Sequence, residues 1–147
     1  MTLNHDAERN KKHIEAFFDW ARQLEMEAMN DARWQWMSSW YESRLFVCYT
    51  RIGLPPENRN HGHPRQPTIC LANIHVSELK NRGRGFFTAM INDLVCGVDG
   101  LSYSRIECEE VVNPRLRVWL AQRGFRSYED DPRSYYLDIV RSSATRA

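Results

Sequence analysis

A mixed α/β fold with a partly antiparallel sheet flanked by helices is predicted by three features of the sequence. Apolar residues recur with helical spacing near the N-terminus and again around residues 84–96. A nearly continuous apolar run, Thr68–Val76 (TICLANIHV), lies between them, as expected of a central strand buried on both faces. Two short β-prone segments close the chain around an Asp-Asp-Pro-Arg-Ser turn.

From about Asp6 to Met29 the spacing predicts a helix whose buried face is Ile14, Phe17, Phe18 and Ala21, continued by Leu24 and Ala28. Arg33–Glu42 holds Trp34, Trp36, Trp40 and Tyr41 at a spacing that suits a helix end or a strand equally. Ser43–Ile52, rich in β-branched and aromatic residues, predicts a strand. Gly53–Pro67, broken by Pro55, Pro56, Gly62 and Pro64, predicts a long loop, and Ser77–Gly83 a polar turn. The helical period returns from Arg84 to Cys96 through Phe86, Phe87, Met90, Ile91, Leu94 and Val95, and Gly97–Gly100 ends it. Ser102–Val112 predicts a strand. Pro114 opens a last helix at the one position where its missing N–H costs nothing. Leu116, Trp119 and Leu120 form that helix's apolar face, and Gly124 stops it. Phe125–Tyr128 and Tyr135–Val140 are the closing strands.

The 147 residues suit a single domain over 1–147, with a flexible tail from Arg141 to Ala147. Net charge is +1, so no whole-molecule attraction draws the chain to nucleic acid or an anionic membrane; an anionic ligand must be met by a local arginine cluster. A nucleic-acid module using Arg82, Arg84, Arg115, Arg117 and Arg123 is disfavoured by that balance. Cys48, Cys70, Cys96 and Cys108 form no CxxC pair and sit in apolar runs, which predicts reduced, buried thiols of a cytoplasmic protein. The charged start, MTLNHDAERNKKH, has no signal core, and no apolar stretch approaches the roughly 20 residues that span a bilayer.

The segment carrying chemistry is Lys80-Asn81-Arg82-Gly83-Arg84-Gly85-Phe86-Phe87, between the central strand and a helix. Glycines at 83 and 85 let the backbone turn sharply and approach a ligand with no Cβ in the way. The helix aims its unpaired N–H groups and the positive end of its dipole at the loop. Arg82 and Arg84 add charge that forks onto phosphate oxygens, so a pyrophosphate is the natural guest. Neither a Walker loop nor a Rossmann fingerprint is present.

Arg82-Gly83-Arg84-Gly85 resembles the coenzyme A-binding motif of the GNAT superfamily of N-acetyltransferases, with Phe87 where that family usually has Gly or Ala. About 30 residues on, Asn113, Leu116, Trp119 and Gly124-Phe125 resemble the family's second helix and the turn after it. The resemblance spans roughly Ile69–Phe125, and the region before it is shorter in strands than is usual for the family. It implies a GNAT-like sheet whose central strands splay apart, with the pantetheine arm of acetyl-CoA, or another acyl-CoA, bonded to strand backbone around Ile74 and Val76. The pyrophosphate would sit on Arg82, Gly83, Arg84, Gly85, Phe86 and Phe87, with Asn113 helping from the next helix. A primary amine of a small molecule or protein would attack the thioester in a ternary complex. The family often carries a tyrosine in the second helix as acid to the leaving thiolate; here that position is Leu120. A catalytically weak module of the same fold, acting through a partner protein, is the alternative.

His75, beside the expected thioester, is the candidate base toward an ammonium substrate, against the reading of a hydrogen-bonded core histidine. Glu107 and Glu109 share one face of the next strand with Glu110 on the other; Glu109 is the candidate carboxylate, against the reading of a solvated edge. His61-Gly62-His63 is read as loop rather than as a metal grip, and no metal site is expected. The Trp34, Trp36, Trp40 and Tyr41 cluster is read as core, or else as the lining of an acceptor pocket. Tyr128, Tyr135 or Tyr136 could stand in for the missing helix tyrosine.

Overall fold

The aromatic segment of ambiguous spacing is a strand, and it brings the sheet to six. The computed structural model describes residues 2–30, 34–59, 61–76 and 85–140. In chain order these form α1 (Thr2–Ala28), β1 (Trp36–Glu42), β2 (Phe46–Gly53), a short 3-10 turn (Glu57–Arg59) and β3 (Thr68–Val76). Then come α2 (Phe86–Cys96), β4 (Arg105–Cys108), α3 (Pro114–Gln122), β5 (Arg126–Ser127) and β6 (Tyr135–Asp138). The sheet is open, in the order β1-β2-β3-β4-β6-β5. Only β3 and β4 run parallel; the other neighbours are antiparallel. The fold is therefore mixed α/β, as the sequence predicts. The strands near β4 are shorter than the β-prone runs that announced them, because turns and caps take up their ends.

The helices and the sheet share one core. Phe17 and Phe18 of α1, Phe46, Cys48 and Ile52 of β2, Ile69 and Leu71 of β3, Met90 and Ile91 of α2, Ile106 of β4 and Leu120 of α3 belong to one buried cluster. Every apolar residue predicted for α1's inner face is buried. Tyr41 points inward too, with its ring 5.3 Å from Phe17 and 5.1 Å from Phe46. Strand alternation sends its neighbour Trp40 to the opposite face, which is why one aromatic cluster splits between core and surface. The four cysteines divide as well: Cys48, Cys70 and Cys108 are buried, but Cys96, at the solvent side of α2's last turn, is exposed. That corrects the expectation of four buried thiols.

Two polar ties lock the helices to the loop that leads into β4. The buried Glu25 of α1 accepts the Ser102 N–H on both carboxylate oxygens, at 3.1 and 3.0 Å. Tyr103, fully buried, donates its hydroxyl to the Leu94 carbonyl at 2.5 Å and accepts the Val98 N–H at 3.1 Å. It thereby ties down the end of α2, where the Leu94 carbonyl also accepts the Gly97 N–H at 3.1 Å. Replacing Tyr103 by Phe removes both of these buried hydrogen bonds, so the urea midpoint should drop by the equivalent of about 1–2 kcal/mol. A Tyr103→Phe protein as stable as the parent would show that the hydroxyl is not holding this junction.

Candidate functional site

β3 and β4 part company halfway along β3. Their parallel register runs only from Thr68–Arg105 to Leu71–Cys108, with a last bond from the Glu109 N–H to the Leu71 carbonyl at 3.1 Å. Beyond that point β3 stays paired with β2 as far as Val76. The β2–β3 register shifts between Tyr49/Asn73 and Thr50/Leu71, so Ala72 is an extra residue on β3. Such a bulge bends and twists the strand that carries it. On the other side Glu110 adopts a left-handed conformation, φ 52°. The chain then bonds away from β3: the Glu110 N–H donates to Ser134 Oγ at 3.3 Å and the Val111 N–H to the Arg133 carbonyl at 2.8 Å. A non-glycine residue held at positive φ costs about 1–2 kcal/mol, and here it turns the backbone out of the ladder.

The result is a cleft of about 600 Å³ between the splayed strands. Its β3 wall is Leu71–His75 and its β4 wall is Cys108–Asn113, with Phe87 of α2 and Leu116 of α3 between them. Asn113 caps α3, its side-chain oxygen accepting the N–H groups of Arg115 and Leu116 at 2.9 and 3.4 Å. Gly85 precedes α2 at φ 77°, a conformation that favours glycine, and an added Cβ would meet only Thr88 Oγ1 at 3.7 Å.

Of the residues singled out in the sequence, Ile74, His75, Phe87, Glu109 and Asn113 line this one cleft. Val76 ends β3, and Gly85 and Phe86 open α2; Phe86 itself is buried against Phe46, ring centres 4.4 Å apart. Arg82, Gly83 and Arg84 lie outside the described residues. Phe87, where a small residue is usual in the resembling family, turns its ring into the cleft wall and meets Trp119 edge-on at 6.5 Å. Leu120 is fully buried in the core. Tyr128, Tyr135 and Tyr136 do not line the cleft.

Sequence reasoning missed a charged layer on the face of the sheet away from the helices. Glu107 is only 4% exposed, so it is no solvated edge. It accepts the Tyr128 hydroxyl at 2.7 Å, and Arg59 stands 3.4 Å from its other oxygen. Glu109 is paired with both Arg51 and Arg59. Arg105 of β4, also buried, forks onto Asp138 of β6 at 2.6 and 3.1 Å. Arg59 reaches this layer from the loop predicted between β2 and β3. The loop's His61 stacks on Tyr128 at 3.8 Å and pairs with Asp130 at 2.8 Å, and Tyr128 stacks on Tyr136 at 4.5 Å. Prolines and glycines in the sequence announce a loop; they do not announce that it is pinned by an arginine and a histidine.

Cys70, Glu107 and Glu109 bring possible metal ligands within 4.8 Å of one another. The donor set does not suit a cation. Two guanidiniums already engage the carboxylates, and burial, followed by the charge of Glu107, holds the Cys70 thiol well above its usual range.

Burial also pushes the Tyr128 hydroxyl above 10, helped by the adjacent Glu107 charge, and raises Cys48 from 9.0 to about 12. Both folded pKa values exceed their unfolded ones. The folded chain therefore keeps protons that the unfolded chain releases, and stability present below the unfolded pKa is lost as pH rises through the window above it. The urea midpoint should fall steadily between pH 9 and about 12, and Tyr128→Phe should make that fall shallower. A slope unchanged by Tyr128→Phe would remove that residue from the alkaline transition.

No protein-family model matches the chain, and no curated protein matches it. Among solved structures, a KacTA–DNA complex is similar at 11% identity and TM-score 0.45, over 64% of this chain and 58% of that one. A mutant AtaT toxin bound to the C-terminus of the antitoxin AtaR and acetyl-CoA is similar at 11% identity and TM-score 0.44, over the same shares. The mutant toxin bound to the antitoxin C-terminus without acetyl-CoA is similar at 10% identity and TM-score 0.44. The chain thus spans 58% of the length of each of these chains, and likeness at this level carries no argument about what it does.

Proposed function

We propose that the chain is an acyl-CoA-dependent N-acyltransferase of the GNAT type, with acetyl-CoA as the donor and a primary amine of a small molecule or protein as the acceptor. The observation that supports this best is the opening between β3 and β4. One strand edge, Ala72–His75, faces a cleft that no neighbouring strand fills among the described residues. An extended arm with amide groups can bond to such an edge as an added strand would.

In this reading Ile74 and Val76 bind the pantetheine arm through their backbone. The diphosphate meets the amides of Gly85, Phe86 and Phe87 at the start of α2 and the charges of Arg82 and Arg84 just before them. Asn113 lines the far wall, its side-chain oxygen engaged in the α3 cap. The bound thioester supplies an activated acyl group to the amine nitrogen, and the departing thiolate takes up a proton. His75, exposed at the cleft mouth, takes the proton that the attacking ammonium must shed. Glu109, held by two arginines, gives the mouth a fixed negative charge rather than a free base. The protein's main work is to hold donor and acceptor in line.

The buried Leu120, and the absence of a tyrosine hydroxyl from the cleft lining, favour one second reading. That is a module of this fold which binds acyl-CoA but turns over slowly and acts through a partner protein.

Calorimetric titration with acetyl-CoA tests the donor site. Saturable binding is expected, weakened by at least about 1.5 kcal/mol in an Arg82→Ala/Arg84→Ala double variant, as loss of charge-assisted bonds to phosphate requires. No binding at millimolar acetyl-CoA would sink the acyltransferase reading. His75→Gln should leave that affinity intact and lower turnover of amines by about 100-fold. Slow release of CoA by the parent, unaltered by His75→Gln, would favour the partner-binding module.

A further inference from the structure

The face of the sheet opposite the helices is covered unevenly. Its β6 side and its lower rungs lie under Arg59, His61 and His63, which reach Trp36, Tyr128 and Tyr136. The upper rungs continue to the cleft. Register places Trp40, Tyr49 and Asn73 in one row across β1, β2 and β3. Asn73, and His75 two residues on, line the cleft. Trp40 is 52% exposed, whereas Trp36, on the same face of the strand, lies under Arg59. Its ring packs on Tyr49, centres 4.9 Å apart and tilted by 48°. An exposed indole on a rigid strand, joined by one row of side chains to the mouth of a cleft, makes a flat wall beside that opening.

We infer that Trp40 and Tyr49 form the acceptor platform, binding a flat, uncharged ring carried some way from the reacting amine. The inference rests on the acyltransferase reading for the amine, but not for the ring. Adjacent strands lie about 4.8 Å apart, so Trp40 on β1 stands about 10 Å from β3, and the ring and the amine of the acceptor are separated by about 7–10 Å. Charge decides the kind of group. The Arg51 guanidinium already lies over Tyr49 at 5.1 Å, where a second cation would be repelled. The nearby carboxylates Glu107 and Glu109 are occupied by Arg51 and Arg59. Aromatic stacking on Trp40 needs neither. The platform selects acceptors by their ring, while the cleft selects for the amine.

The probe is 4-phenylbutylamine, with n-butylamine and cadaverine as the ringless and doubly cationic comparisons. Titrated into the full chain without acetyl-CoA, it should shift the Trp40 indole N–H signal saturably, and Trp40→Ala both assigns that signal and removes it. Affinity followed on the remaining signals should weaken about five- to tenfold in Trp40→Ala and be largely restored in Trp40→Phe, as loss of a stacking partner predicts. With acetyl-CoA present, Trp40→Ala should raise KM for 4-phenylbutylamine by a similar factor and leave n-butylamine and acetyl-CoA affinity unchanged. Absence of a saturable Trp40 shift, equal binding of n-butylamine, tighter binding of cadaverine, or an unaltered affinity in Trp40→Ala would each overturn the platform. None of these depends on whether acetyl-CoA binds, so a failure of the donor site is seen separately.

Discussion

The end of the β3–β4 ladder at Leu71 is the constraint on which the candidate site depends. Two parallel strands in register would normally go on pairing, since each unmade bond leaves backbone groups to be satisfied elsewhere. Here both strands are drawn off in different directions. Ala72 bulges out of register and keeps β3 against β2. Glu110, at φ 52°, swings the other chain toward Arg133 and Ser134, where its amides and those of Val111 find acceptors. Asn113 then caps α3 and fixes where that chain goes next. Closing the cleft would require breaking these bonds, so the opening is built in rather than left over from loose packing.

The two faces of the sheet use different physics to support that opening. On one, α1, α2 and α3 contribute to a dry core in which Phe17, Phe46, Met90 and Ile106 are fully buried. On the other, buried and half-buried charges are balanced within the layer: Arg51 and Arg59 against Glu107 and Glu109, and Arg105 against Asp138. Removing the partners of the buried Glu107 or Arg105 would leave a charge without compensation inside the layer. Arg59 belongs to the connection between β2 and β3, so that long loop is fastened to the sheet by the same balance and by the His61–Tyr128–Tyr136 stack.

Much of the fold was legible because period and burial are local signals. The inner face of α1, the nine-residue β3 and the Asn113–Pro114 start of α3 all stand where spacing and capping chemistry put them. The site was half legible. Ile74, His75, Glu109 and Asn113, singled out on separate grounds, line one cleft, yet nothing within TICLANIHV marks Ala72 as the extra residue. A bulge is visible only against its partner strand. Glu107 read as a solvated edge because its partners, Arg59 and Tyr128, come from segments 48 and 21 residues away. Cys96 read as buried because it follows an apolar run, though the last turn of α2 faces it outward. The β1 segment carried both outcomes at once, since alternation sends Tyr41 to the core and Trp40 to solvent.

Self-balance in the charged layer also bears on how chemistry at the cleft is divided. A carboxylate already shared by two guanidiniums is a poor proton acceptor, because a proton must displace at least one of them. In the proposed acyl transfer, Glu109, paired with Arg51 and Arg59, would contribute shape and charge, and the proton would be left to another group. His75 is the exposed candidate for it on the β3 wall. The cleft is walled by the apolar Leu71, Phe87, Val111 and Leu116 together with Cys108, Glu109 and Glu110 on the β4 side. The apolar part of that lining suits the proposed reaction, in which the protein's main work is to position two reactants.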